Sequence, residues 1–383
     1  MTEAPTDPDH AATPATISPN PAPARFPCFG LAPWTIAVPL LGLASLLVGK
    51  PSGVVFVTAL ALLLGAVVMA AVYHAEILAH HLGEPFGTLL LAFAVTVIET
   101  SLIVSIMLGE SGNGGAQTLA RDTLIAAIMI TINGIVGVCL LAGGGRHHEQ
   151  GYTQSGVSVG LAMLATLAVT TLVLPNYTTS AAGPFYAPQQ LAFAAVISLV
   201  VYGTFVVAQT IRHRDHFLYP EEDDHAHEAP VSRVKAIAAA VTLVPALVSV
   251  VLLAKALSPS IEAGVAAAGA PQAMVGIIIA ALVLAPEGFA AVRAARANRV
   301  QTSLNLAIGS ALATIGLTIP AVAATALLLG LDLELGLSLR GIALLALTLF
   351  VASLTLGTGR TTVVHGVIHL VIFATYLFTT LVP

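Results

Sequence analysis

Two glutamates stand where a carboxylate is expensive. Glu99 lies in GEPFGTLLLAFAVTVIETSLIVSIML (83–108), and Glu287 lies near the start of LVLAPEGFAAVRAARANRVQTSLNLAIGSALATIGLTIP (282–320). At a helical rise of about 1.5 Å per residue, Glu99 sits roughly 20 Å beyond Pro85, well inside hydrocarbon about 30 Å thick. An acid at that depth is a candidate functional site by default, with a structural hydrogen-bonding role as the plainer alternative. Oxygen ligands cluster near both acids. Thr96 is three residues before Glu99 on the same helical face. Ser303, Ser310 and Thr314 share one face of the helix after Glu287, with Asn305 nearby. Pro286 removes a backbone hydrogen bond next to Glu287 and frees a carbonyl. Such a set suits a hard cation; Ca²⁺ takes about six to eight oxygens. Carboxyl groups withdrawn from water also hold protons readily, and two close together share them. A site that holds either a cation or protons, opened to each side in turn, is an exchange site.

Other titratable groups are weaker candidates. His365 and His369, at i and i+4 on the last helix, could relay protons but read first as packing residues, with His369 kept as an accessory candidate. His74, Glu76, His80 and His81 look like metal ligands, but the pattern is not HExxH. An interfacial polar cluster is the simpler reading, and an intramembrane metalloenzyme built on it the remote alternative. Glu84 precedes Pro85, where helix N-termini favour acids; it suits capping as well as cation access. Glu221, Glu222, Asp223 and Asp224, with His216, His225 and His227, form an acidic loop. It could attract divalent cations or respond to pH, or simply link two halves. Asn176-Tyr-Thr matches a glycosylation sequon by chance. No residue is assigned a catalytic role.

These residues must be held by membrane helices. The chain has 383 residues, 57% hydrophobic and only 9% charged, against about 25% charged in soluble domains. The apolar runs are too long and unbroken for the ten-residue alternating strands of a β-barrel. The chain therefore reads as an all-α polytopic membrane protein. The net charge of −5, mostly from one acidic cluster, gives no reason to expect nucleic acid. Cys28 and Cys139 are far apart and too few for a zinc site. No cofactor, ATP-binding motif or obligatory protein partner is expected, so an ion gradient must supply the driving force. Residues 1–30, rich in Pro and Ala, read as a disordered cytosolic tail without the apolar core of a signal peptide.

Eleven apolar segments follow. The first transmembrane helix lies within 31–50, with Trp34 as an interfacial anchor. Segments two to six fill 51–211, residues 212–235 form the acidic, His-containing linker, and segments seven to eleven fill 236–383. The fourth segment is expected at Thr123–Leu141 and the seventh at Ala236–Ala256. Five helices per unit, an odd number, put the two units in opposite orientation, and each carries its glutamate on its second helix. This is the inverted-repeat pattern of secondary transporters. A cytosolic N-terminus and an external C-terminus place 10 of the 14 basic residues on the cytosolic side, as the positive-inside rule requires.

With Glu99 and Glu287 set in these runs, the chain resembles the bacterial ChaA-type Ca²⁺(Na⁺, K⁺)/H⁺ antiporters of the Ca²⁺/cation antiporter superfamily. GEPFGTLLLAFAVTVIE is similar to their first α-repeat and APEGFAAVRAARANRVQTSLNLAIGSALATIGLTIP to their second. The resemblance implies eleven helices, alternating access, a bacterial inner membrane, and cation or proton binding by Glu99 and Glu287. It also implies Ser303, Asn305 and Ser310 as supporting ligands. The broader superfamily has Gly-Asn-Ala-x-Glu before its acids, whereas this chain has Thr96-Val-Ile-Glu99 and Leu284-Ala-Pro-Glu287. Its Ser-Asn pair after the first acid is Ile130-Thr131 here, with Asn133 two positions away as an accessory candidate. The expected activity is Ca²⁺/H⁺ exchange, with Na⁺/H⁺ or K⁺/H⁺ exchange through the same site as the alternative. An uncoupled channel is the reading that would require no proton countermovement.

Overall fold

Apolar chain in hydrocarbon must satisfy its own backbone hydrogen bonds, and here it does so almost entirely as helix. The structure, a computed structural model, describes residues 30–48, 53–82, 86–109, 115–218 and 231–382. The helices are α1 (Pro33–Ser45), α2 (Val54–Leu82), α3 (Phe86–Gly109), α4 (Gly115–Ile128), α5 (Val136–His147), α6 (Gln154–Ala168), α7 (Pro188–Val207), α8 (Arg233–Ala267), α9 (Ala273–Arg296), α10 (Val300–Leu329), α11 (Leu339–Thr355) and α12 (Val363–Leu381). A π-helical segment, Met129–Ile135, joins α4 to α5 without a break. The described residues thus form eleven rods, the number expected from the apolar segments. Among the described residues eight helices are long and apolar enough to cross a membrane, and three shorter apolar ones accompany them.

Local chemistry sets several ends. Ser232 and Ser338 cap α8 and α11 by accepting from the amides of Lys235 and Gly341. Pro188 sits in the first turn of α7. Gly330, at φ 66°, ends α10 in the left-handed conformation that glycine tolerates.

Two elements differ from expectation. The fourth rod is longer than Thr123–Leu141, because the polar turn before it is already helical and α5 runs on through three glycines to His147. The seventh extends to Ala267 through Pro245 and Pro259. The apolar run stops at Lys255, but Ser258 and Glu262 bond to each other at 2.7 Å along the continuing helix.

The inverted repeat is visible in the packing. α2, first rod of one unit, lies on α8, first rod of the other. α3 packs on α10 while its counterpart α9 packs on α4 and α5; α7 packs on α10 while α12 packs on α5. The loops follow the same exchange. β1 (Glu149–Gly151) pairs antiparallel with β2 (Arg360–Thr362), Glu149 opposite Thr362. At the other end, the counterpart loops meet through a bridge between Phe185 and Glu334. Neither pairing was expected from sequence. α1 stands outside this symmetry, against α2 and α8.

The main buried cluster runs along α10 and the α4–α5 rod, and a second joins α2, α3, α8 and α9. α5 and α12 cross at backbone contact. A Cβ on Gly366 would come within 2.6 Å of the Leu141 nitrogen and 2.8 Å of the Gly137 oxygen, a close approach that only small residues permit.

Candidate cation site

α10 brings the two acids together. Glu99 on α3 is 0% exposed and Glu287 on α9 is 3% exposed. The Thr314 hydroxyl donates to Glu99 Oε2 at 2.8 Å, and the Ser310 hydroxyl donates to Glu287 Oε2. Residues four apart on a helix lie one above the other. One face of one helix therefore holds an acid from each half of the chain. The stripe continues one turn further, where Thr318 Oγ1 bonds to Thr100 Oγ1 at 2.9 Å. Thr96 is buried one turn before Glu99.

Each acid keeps one buried oxygen, Oε1, without a hydrogen-bond partner. Leaving such an atom unsatisfied in a low-dielectric interior costs about 1–3 kcal/mol, and more when the group is charged. A bound proton or cation removes that cost. The two acids and the α10 hydroxyls form an all-oxygen set. Such a set favours hard cations over the metals that nitrogen and sulfur select.

Other predicted residues are placed elsewhere. Ser303 is buried against the Cys139 thiol, about 10 Å along α10 from Ser310. Asn305 donates to the Phe217 carbonyl at 2.6 Å and accepts from Gln301. Neither supports the carboxylates: their spacing along α10 carries them to the helix start, where the loop at Phe217 takes up Asn305 and the buried Ser303 Oγ has no hydrogen-bond partner. Asn133 lies in the π segment, donating to Thr348 Oγ1 at 2.8 Å while its oxygen faces His369 Nδ1 at 3.0 Å. His369 Nε2 meets Thr355 Oγ1 at 2.8 Å. This buried network ties the α4–α5 rod to α11 and α12. His74 uses both ring nitrogens, on the Thr35 carbonyl and the Thr242 hydroxyl, to join α1, α2 and α8. Among the described residues no three His, Cys, Asp or Glu side chains are grouped to hold a metal. Glu84, Glu221, Glu222, Asp223 and Asp224 lie outside the described residues. Thr100 and Thr318 were not singled out in the sequence; the spacing of four from Ser310 through Thr314 was the signal for Thr318.

The family model for the sodium/calcium exchanger protein matches residues 52–211 and 238–382, most of the chain. The chain belongs to the sodium/calcium exchanger family. Among relatives of this exchanger, a Sinorhizobium fredii protein named "Putative ionic transporter y4hA" is 47% identical over 362 residues, covering 91% of this chain and 96% of its own. The sodium-potassium/proton antiporter ChaA of Escherichia coli is 36% identical over 314 residues, covering 81% and 84%. Among solved structures, the H⁺/Ca²⁺ exchanger CAX superposes with a TM-score of 0.68 at 16% identity, over 90% of this chain and 86% of that one. That last likeness speaks for the exchanger fold alone. The family is one of transmembrane cation transporters, not of catalysts.

Proposed function

We propose that this exchanger is a secondary active Ca²⁺/H⁺ antiporter working at Glu99 and Glu287. The observation that carries the reading is the pair of buried carboxylates on one α10 stripe, each with an oxygen left unpartnered. Charge decides the partner ion. Two carboxylates are neutralised by one divalent cation or by two protons, so the site is never left with a large uncompensated charge in hydrocarbon. Occupancy is then mutually exclusive. A cation reaching the site displaces the protons, and protons arriving from the other side displace the cation. The hydroxyls of Ser310 and Thr314 hold one oxygen of each acid in place in either state. Opposed motion of the two inverted units would expose the site to one side at a time.

A second reading, Na⁺/H⁺ or K⁺/H⁺ exchange at the same acids, is favoured by the named activity of the 36% identical relative. It also fits a site without an amide ligand, since Asn133 and Asn305 are engaged elsewhere. The distribution of arginine and lysine supports a cytosolic N-terminus and an external C-terminus, and the bacterial relatives support a bacterial inner membrane, with cation expelled as protons enter. No cofactor or obligatory protein partner is part of the proposal.

Everted membrane vesicles with an inside-acid pH gradient and a pH-sensitive dye test it. Dequenching on adding Ca²⁺, lost in Glu99→Gln and Glu287→Gln vesicles, is the expected result. Dequenching by Na⁺ or K⁺ and not by Ca²⁺ selects the second reading. Normal exchange in either variant overturns the two-acid site.

A further inference from the structure

A recess of about 1090 Å³ opens between α2, the α4–α5 rod, α9 and α12. It exceeds the roughly 300–1,000 Å³ of ordinary small-molecule sites. Its composition is divided. One end carries Arg146, Arg293 and Arg296; the rest is apolar, with Met69, Val138 and Phe289 among its walls. Arg146 ends α5 and the other two end α9, so all three stand at one face of the bundle. All three side chains are exposed. Among the described residues no carboxylate lies within ion-pair distance of any of them; Glu76 acts on Arg293 only at longer range. Three guanidinium groups with no carboxylate partner among the described residues, beside an apolar recess between membrane helices, call for one kind of occupant, with an anionic head and a hydrocarbon tail. Basic recesses of this form at the cytoplasmic side of membrane proteins take anionic phospholipid headgroups, and guanidinium pairs with phosphate through two parallel hydrogen bonds.

We propose that this recess is a binding site for an anionic phospholipid, its phosphate on Arg146, Arg293 and Arg296 and one acyl chain along Val138 and Phe289. The site is separate from the carboxylates but reaches α9, the helix that carries Glu287. Ala285 and Gly288, which flank Pro286 and Glu287, line it. A Cβ on Gly288 would lie 3.4 Å from Ile135, so the seam between the π segment and α9 is tight there. A lipid in the recess therefore packs against the contact between the two inverted units.

Native mass spectrometry of the purified full-length protein in detergent tests this, with phosphatidylglycerol competed against phosphatidylcholine of the same acyl chains. One phosphatidylglycerol should be retained in preference. A basic residue near a headgroup is worth about fivefold in binding, so the combined Arg146→Gln, Arg293→Gln, Arg296→Gln variant should lose on the order of 100-fold. Val138→Trp, which fills the recess and keeps the arginines, should lose it too, while Arg233→Gln, at a basic position outside the recess, should retain it. Equal retention of phosphatidylcholine by the unaltered protein, or full phosphatidylglycerol retention in the triple variant, overturns the proposal. Displacement of the lipid by glycerol 3-phosphate at equal concentration reassigns the arginines to soluble phosphate and overturns it as well.

Discussion

α10 and the α4–α5 rod are counterparts, each the third rod of its unit, yet they use their polar residues differently. α10 is continuous, and its stripe of Ser310, Thr314 and Thr318 faces both glutamates and α3. The other rod passes through a π segment, where Thr131 donates to its own Ala127 carbonyl at 2.7 Å and Asn133 turns to α11 and α12. The acids are related by the repeat, but the groups that hold them are not. A two-fold fold therefore need not carry a two-fold site: one copy of the central helix supplies the polar contacts, and the other has become a structural joint.

The largest expected effect tests the shared element. Glu99→Gln and Glu287→Gln should each reduce proton-coupled cation flux in vesicles to background while membrane insertion stays intact. Unequal loss would mean that the two acids are not one site. Next, Thr314→Val and Ser310→Ala each remove a hydrogen bond to a carboxylate, worth about 1.5–3 kcal/mol. Apparent cation affinity, read from the concentration that gives half-maximal dequenching, should weaken about 10–150-fold. Thr131→Val, on the counterpart rod, should leave it unchanged; an equal loss there would erase the distinction between the rods.

Smaller effects separate structural joint from site. Asn133→Ala strands the partners on Thr348 and His369 and should cost about 1–3 kcal/mol of stability, seen as earlier thermal unfolding in detergent, with cation affinity retained. Gly366→Ala forces α12 away from α5 and should cost about 1–3 kcal/mol by overpacking, again in thermal unfolding. Glu149→Gln breaks the exposed pair with Arg360, 3.4 Å apart, and should change stability by less than about 1 kcal/mol.

Much of this was readable in the chain. Glu99 and Glu287 stood out because hydrocarbon surrounds them, and Ser310 and Thr314 because helical spacing puts them on one face. The eleven rods follow from apolar runs punctuated by polar and glycine-rich turns. What stayed hidden depends on contacts across the fold. Asn133 is committed by Thr348 and His369, more than 200 positions away in sequence. Asn305 is engaged by Phe217, whose loop position no local pattern gives. The π segment has ordinary apolar composition, and the three-residue strands of the ribbon are too short to show a period.

The bond between Thr314 and Glu99 spans 215 positions, and a ribosome adds about 5–20 residues per second. The first acid thus enters the bilayer roughly 10–40 s before the hydroxyl that will hold it has been made. Throughout that interval the nascent first half must shelter a buried carboxyl by other means, by keeping it protonated or at the edge of the insertion machinery. The order of synthesis makes the amino-terminal half the vulnerable one, and a chain arrested before α10 would be the form that quality control meets.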